Sequence, residues 1–288
     1  MRLGVVGYIP GDPMVITKDH LDKVKSVGFS SANFHGPGDQ LSDVTTTDCR
    51  RVKGLYADAG LELTQFGIGY KECLFDPDEA VRDRVVGIID RGIEVGSELA
   101  ADMTLIRTGS LNPSGSYNPT PRNYEPGRRE QLVETLRRIA KKAQSEGMTI
   151  VIETHLLTIM GSPEINKQII DAVGSDRMRV VMDFANHFQN LDQVYHSTDR
   201  INRIFDFMGP IAPVGHFKDI RISSGLVLHI DEEVPGKGVL DLATALRRWE
   251  CIYPDGYMLI EHLAEDKIPL AAENTRRIAQ EAGVEIHR

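Results

Sequence analysis

The sequence predicts one α/β domain, a (β/α)8 TIM barrel over residues 1–288, and three observations carry that expectation. Short apolar strands alternate with amphipathic helices about eight times, the rhythm of strand–helix units around a parallel sheet. Four successive strands in the second half end in a carboxylate or an imidazole. The length suits the roughly 250 residues of such a barrel, and no composition break or linker divides it. A doubly wound open sheet is the competing arrangement. There, four sequential strand ends spread along an edge or across a switch point, whereas strands five to eight of a barrel form half a ring whose ends converge.

The elements follow in order. Strand one is 3–7, and its helix sets Leu21, Val24 and Val27 on one face before stopping near Gly28. Strand two, 31–34, leads past His35, expected at the surface with the pocket lining as the alternative, into a helix near 48–59. Strand three is 62–66. Asp76-Pro77-Asp78-Glu79 then gives an N-cap at Asp76, a first-turn proline and an acidic N3 residue, opening a helix through Val81, Val85, Ile88 and Ile89 to about Gly96. Strand four, 103–106, ends at Arg107. The connection 108–127 is rich in Pro, Gly, Ser and Asn, and its length predicts a lid. Leu132, Leu136, Ile139 and Ala143 mark the next helix, before Gly147.

Strand five is the apolar run 149–152, delivering Glu153 and, two residues on, His155. A continuous apolar run suits a parallel sheet covered on both faces, and a glutamate has no packing reason to end one. Ser162-Pro163-Glu164 starts a helix with Ile165, Ile169, Ile170 and Val173 inward. Strand six, 179–182, delivers Asp183, with Ile201, Ile204, Phe205 and Met208 lining its helix. Strand seven, 211–215, delivers His216. Asp241 caps the helix marked by Leu242, Leu246 and Trp249. Strand eight, 258–260, delivers Glu261, and a helix over 269–282 closes the chain.

The charge excludes some functions. Lys and Arg number 33 against 42 Asp and Glu, giving −9 with no basic block. Nucleic-acid and anionic-membrane surfaces need clustered cations, so neither is an expected partner. Cys49, Cys73 and Cys251 are few, odd in number and widely spaced, which predicts no disulfide framework and a cytoplasmic location. No segment resembles a signal peptide or a membrane span.

The four strand-end residues make an oxygen-rich set with a formal charge of −3. Three converging carboxylates repel one another, and one divalent cation relieves that conflict. Such a hard set suits Mn²⁺ first, with Mg²⁺, Co²⁺ or Zn²⁺ as alternatives. Glu153, Asp183, His216 and Glu261 are therefore the expected metal ligands.

Ile152-Glu153-Thr154-His155, Met182-Asp183-Phe184-Ala185-Asn186-His187, His216-Phe217-Lys218-Asp219, the run 235–241 (PGKGVLD) and Ile260-Glu261-His262 together resemble the xylose-isomerase-like barrels. The resemblance is strongest from residue 149 onward. It implies the same four metal ligands and a sugar or sugar-phosphate isomerase or epimerase, with homo-oligomers common. In similar ketose 3-epimerases the two glutamates also form the acid/base pair, which makes Glu153 and Glu261 the expected catalytic residues. Proton transfer would pass through a metal-stabilised cis-enediolate.

Two departures bear on the substrate. The second glutamate that ketose 3-epimerases carry six residues after the first is here Ile159. Their substrate histidine, three residues after the ligand aspartate, is here Asn186, with His187 one further on. His155, His187, Lys218, Arg107 and Arg221 are the expected substrate contacts. Arg221 and Lys237 lie near loops where barrels often bind phosphate. The alternatives are a lyase acting on a keto-sugar or keto-inositol, similar to inosose dehydratases or C-glycoside deglycosidases, and, remotely, an endonuclease IV-like phosphodiesterase.

Overall fold

The apolar strands close on themselves. A computed structural model describes residues 1–287. Its strands are β1 (Arg2–Val6), β2 (Ser31–Pro37), β3 (Gln65–Gly69), β4 (Met103–Arg107), β5 (Thr149–Glu153), β6 (Met178–Met182), β7 (Val214–His216), β8 (Asp219–Ser223), β9 (His229–Glu233) and β10 (Tyr257–Ile260). Strands β1 to β7 and β10 form a closed parallel barrel, β10 lying between β7 and β1. Around it lie α1 (Lys18–Ser26), α2 (Thr46–Ala59), α3 (Glu79–Leu99), α4 (Arg128–Glu146), α5 (Pro163–Val173), short α6 (Leu191–Tyr195), α7 (Ser197–Met208), α8 (Leu242–Ile252) and α9 (Ile268–Ala282). The chain is a single-domain (β/α)8 TIM barrel, as its strand–helix rhythm predicts. Among the described residues, no helix is long and apolar enough to cross a membrane.

The pleat explains where the polar strand ends point. Val151, Val181, Val214 and Leu259 belong to a small buried cluster inside the barrel, separate from the larger core between barrel and helices. Alternate strand residues share a face. Glu153, Asp183, His216 and Glu261 each follow one of these apolar residues by two positions, so they stand above the plug at the C-terminal mouth. Val6 and Leu105 extend the cluster to β1 and β4, and the interior is polar beside β2 and β3. Ser31 and Thr64 share a hydroxyl hydrogen bond of 2.9 Å, and the Asn33 amide donates to the Val5 carbonyl at 3.1 Å.

Several boundaries differ from the sequence expectation. Strand three begins at Gln65, not Glu62, which makes only an isolated bridge to Ser31. A side chain interrupts the pairing with β2 at one point, where the Gln65 N–H donates to Asn33 Oδ1 at 2.7 Å. The cap of α3 is Asp78, which accepts from the Ala80 N–H at 2.9 Å, while Asp76 accepts from the Asp78 N–H at 2.9 Å in a turn before the helix. Strand seven is confined to Val214–His216 because Ile211 lies in a 3-10 turn and Pro213 has no N–H for a ladder. On α5 the fully buried side chain is Asn166, while Ile165 is partly exposed.

Two larger differences concern the mouth. The segment after β7 is no plain loop: β8 and β9 form an antiparallel hairpin in which Arg221 lies opposite Asp231. Asp219 ties it down, its carboxylate accepting from the N–H groups of Ile220, Gly236, Gly238 and Leu240 at 2.9–3.2 Å. A Cβ at Gly238 would fall 2.3 Å from Asp219 Oδ1, which requires glycine there. The 108–127 connection packs onto the barrel around buried Asn123, which accepts from the Leu111 N–H at 2.9 Å and donates to Ser110 Oγ at 3.1 Å.

Candidate metal centre

Four side chains from β5, the end of β6, β7 and the end of β10 meet at the mouth. Each of Glu153, Asp183, His216 and Glu261 offers one ligand atom, and these atoms all lie within 4.8 Å of one another. All four are buried, none more than 5% exposed. His216 Nδ1 is 2.7 Å from Glu261 Oε1, 3.7 Å from Asp183 Oδ2 and 4.0 Å from Glu153 Oε1. The other ring nitrogen, Nε2, lies 3.1 Å from Gln65 Oε1. An amide oxygen accepts only, so Nε2 carries a proton and Nδ1 is the atom available to a ligand. Gln65 arrives from the opposite side of the barrel, where nothing in the sequence pairs it with a histidine 151 residues away.

Lys218 sits among the carboxylates rather than at the substrate end. Its ammonium is 2.7 Å from Asp183 Oδ2 and 2.7 Å from Glu261 Oε1, and 3.3 Å from Glu232 Oε1 on β9. Burial alone would raise the Asp183 and Glu261 pKa values, but the Lys218 and His216 charges outweigh it and hold both below the usual carboxylate range. Conversely, burial disfavours the His216 and Lys218 cations, yet the carboxylates win. His216 rises to about 10, and Lys218 stands well above its ordinary value.

The residues fit a divalent cation. Asp183 Oδ1, His216 Nδ1 and Glu261 Oε1 are buried atoms without a well-formed hydrogen bond in the protein. Buried polar atoms rarely remain so without a ligand or water. Three carboxylates and one imidazole form the oxygen-rich donor set that hard divalent ions favour. Because a ligating Nδ1 must lose its proton, and His216 holds one up to about pH 10, metal binding is expected to expel that proton. Apparent affinity should then rise about tenfold per pH unit between pH 7 and 9. Titration calorimetry in buffers of different ionisation enthalpy measures the released proton, and a pH-independent affinity would contradict ligation by a His216 that is protonated in the metal-free protein.

Above this cluster opens a cavity of about 570 Å³. Glu153, His155 and Asn186 line it, as do Tyr117 from the 108–127 segment, Glu232 from β9 and His262. The Asn186 amide donates to Asp183 Oδ2 at 2.8 Å. Tyr117 stacks on His155 with ring centroids 5.2 Å apart and accepts from Arg107 Nη1 at 2.5 Å. Arg107 thus stands behind the wall, paired in register with Glu153. Burial lowers the His155 pKa, so the ring is neutral near pH 7. His262 adopts a left-handed backbone, φ 56°, and lies 3.2 Å from Glu232, which raises its pKa.

Besides Lys218 and Arg107, neither of which lines the cavity, three further expectations need correction. His187 does not reach the cavity: it is fully buried, 3.1 Å from the Thr154 hydroxyl, with burial pushing its pKa down to about 4. Arg221 points to its hairpin neighbours, 3.6 Å from Asp231 and 3.4 Å from Glu233, and is not among the cavity-lining side chains. His35 is half-buried, its ring turned inward, rather than a surface residue. Its ring packs over Gly67, where a Cβ would fall 1.9 Å from His35 Cδ2, and burial lowers its pKa to about 4. Tyr117, Glu232 and His262 were missed. The period-two run Asp219–Ser223, followed by the turn residues Ser224-Gly225, was the available signal for the hairpin.

Comparison with known proteins places the chain. The family model for the xylose isomerase-like TIM barrel matches residues 21–284. Among solved structures, the chain is similar to 3-keto-D-glucoside 4-epimerase from E. coli, at 16% identity over 97% of this chain and 99% of that one, TM-score 0.73. It is similar to a D-psicose 3-epimerase at 18% identity over 99% of both chains, TM-score 0.72. A xylose isomerase-like TIM barrel protein from Mycobacterium smegmatis, solved in complex with magnesium, shares 15% identity over 98% of this chain and 96% of that one, TM-score 0.73. Comparison with curated protein sequences returns no match. These identities speak for the fold alone, whereas the family match spans nearly the whole chain: it belongs to the xylose isomerase-like TIM barrel family.

Proposed function

We propose that the chain is a divalent-metal-dependent isomerase or epimerase of sugars, which removes and returns a proton at a carbon next to a carbonyl through a cis-enediolate. The observation that carries this is the convergence of Glu153, Asp183, His216 and Glu261 beneath one cavity. The neighbouring folds include a 3-keto-D-glucoside 4-epimerase, a D-psicose 3-epimerase and an L-ribulose 3-epimerase, which supports the same class of chemistry here.

Glu153, Asp183, His216 and Glu261 would hold a divalent cation, which would supply Lewis acidity to the reaction when bound. Glu153 and Glu261 are the proton carriers. They reach the mouth from β5 and the end of β10, with β6 and β7 between them in the barrel, so they approach the substrate from different sides. One takes the proton from one face and the other returns one to the opposite face. Lys218 balances the buried carboxylates. His155, neutral and braced by Tyr117, and Asn186 are placed to orient hydroxyls.

Proton exchange in D₂O tests this. Protein loaded with Mn²⁺ is incubated with ketoses, keto-inositols and oxidised glycosides, then removed before NMR spectra are taken. Deuterium beside the carbonyl, with substrate and epimer or isomer both present, is expected for one member. Exchange with loss of water or an aglycone would reassign the protein to a lyase. A complete lack of exchange across the panel removes the proposal.

A further inference from the structure

The cavity is larger and more apolar than a free monosaccharide requires. A hexose occupies roughly the volume of six waters at about 30 Å³ each, which leaves most of about 570 Å³ unfilled. The polar groups gather at the inner end, where Glu153, His155 and Asn186 face the ligand cluster. The outer wall is different: Leu156, Leu157, Phe188, Leu228 and Ile230 line it, contributed by the β5–α5 connection, the segment after β6 and the hairpin. Leu157 and Leu228 are 38% and 43% exposed, so this apolar surface meets solvent when the cavity is empty. Leu226 and Val227 continue it along the hairpin tip.

The titratable side chains on that wall are two carboxylates and the imidazoles of His229 and His262, the latter paired with Glu232 at 3.2 Å. Asp231 and Glu232 line the cavity. The nearby cations are already engaged: Arg221 with Asp231 and Glu233, Arg107 with Tyr117, and Lys218 with the ligand carboxylates. A phosphate held beside Asp231 and Glu232 would meet like charge, whereas an uncharged apolar group would cover the leucines.

We infer that the site takes a neutral glycoside, its sugar ring over the ligand cluster and an apolar aglycone against Leu156, Leu157, Phe188, Leu228 and Ile230. This rests on the proposed function only in placing the sugar at the inner end. Burying an aromatic substituent in an apolar cleft strengthens binding by about tenfold or more.

The test measures binding separately from turnover. Methyl and phenyl β-D-glucosides oxidised at C3, and the 6-phosphate of the phenyl compound, are titrated into the Mn²⁺-loaded protein by calorimetry. The phenyl glycoside is expected to bind at least tenfold more tightly than the methyl glycoside, and the 6-phosphate more weakly than its parent. In Leu157→Asp and in Leu228→Asp, both at partly exposed positions, the phenyl preference should collapse toward unity. Equal affinity for the pair, no binding of either, tighter binding of the phosphate, or a preference unchanged in both variants overturns the inference. Proton exchange on a free ketose without any phenyl preference would sink the inference and leave the proposed function standing. A phenyl preference lost in the variants, without exchange on any substrate, would do the reverse.

Discussion

Glu261→Gln is expected to reduce turnover by about 10²–10⁴-fold, the range of a lost general acid or base, while the barrel stays folded. The amide matches the carboxylate in shape but has neither its charge nor its basicity. Its oxygen can still face His216 Nδ1, now 2.7 Å from Glu261 Oε1, and Lys218 keeps its 2.7 Å contact with Asp183. Packing around the 3%-exposed side chain is therefore preserved, and circular dichroism and the thermal midpoint serve as controls. Glu153→Gln should lose interconversion to a similar degree. If the two glutamates serve opposite faces, each variant should retain exchange from only one of the two epimers, which deuterium incorporation starting from each epimer separately resolves. Either variant keeping more than a tenth of wild-type turnover would remove that residue from the proton-transfer pair.

Lys218→Met should strongly destabilise the metal-free protein. The ammonium is 3% exposed and bridges Asp183 and Glu261 at 2.7 Å each. Removing one member of a buried ion network leaves charge uncompensated, a cost of about 3–5 kcal/mol. His216, with His262 at the rim 3.8 Å from Glu261, would then face three buried carboxylates. Urea unfolding in a chelator measures the loss. Saturating Mn²⁺ should recover more stability in the variant than in the wild type, because it restores the missing positive charge as well as adding the ordinary stabilisation by a bound ligand. A metal-free variant within about 1 kcal/mol of wild type would mean that the Lys218 contacts contribute little beyond what an exposed pair does.

The same network sets the pH window of the metal-free wild type. Asp183 and Glu261 are depressed in the folded state, so their contribution is present above the ordinary values of 3.8 and 4.5 and is lost as pH falls through the folded ones. His216 is raised to about 10, so its contribution is complete below 6.5 and is lost as pH rises through about 10. Loss at both ends is expected without metal, and ligation of a neutral His216 should flatten the alkaline side.

Local chemistry made much of this legible from the chain alone. An apolar run ending in a carboxylate identifies both a strand and the direction of its last side chain, because the pleat fixes which positions share a face. Val151 and Glu153, Val181 and Asp183, Val214 and His216, and Leu259 and Glu261 each obey that spacing, so the barrel and the clustering of these four polar residues follow from sequence pattern. Caps at Ser162 and Asp241 are equally local, and both hold in the structure.

Tertiary structure decided what faces what across the mouth. Gln65 reaches His216 only because barrel closure brings β3 opposite β7, and Lys218 enters the carboxylate cluster only because β6 and β10 flank β7. His35 turns inward because Gly67 leaves room on the neighbouring strand, a vacancy that its own sequence neighbours do not encode. Tyr117, Glu232 and His262 become cavity walls through segments whose backbone bends at turns, where no period links position to direction. His187 and Arg221 show the same limit from the other side. One residue of phase in a 3-10 turn puts Asn186 in the cavity and His187 beneath it, and hairpin pairing turns Arg221 toward its own acidic partners. Periodicity fixes a side chain's direction within one element, but contacts between elements depend on closure and register, which only the folded chain supplies.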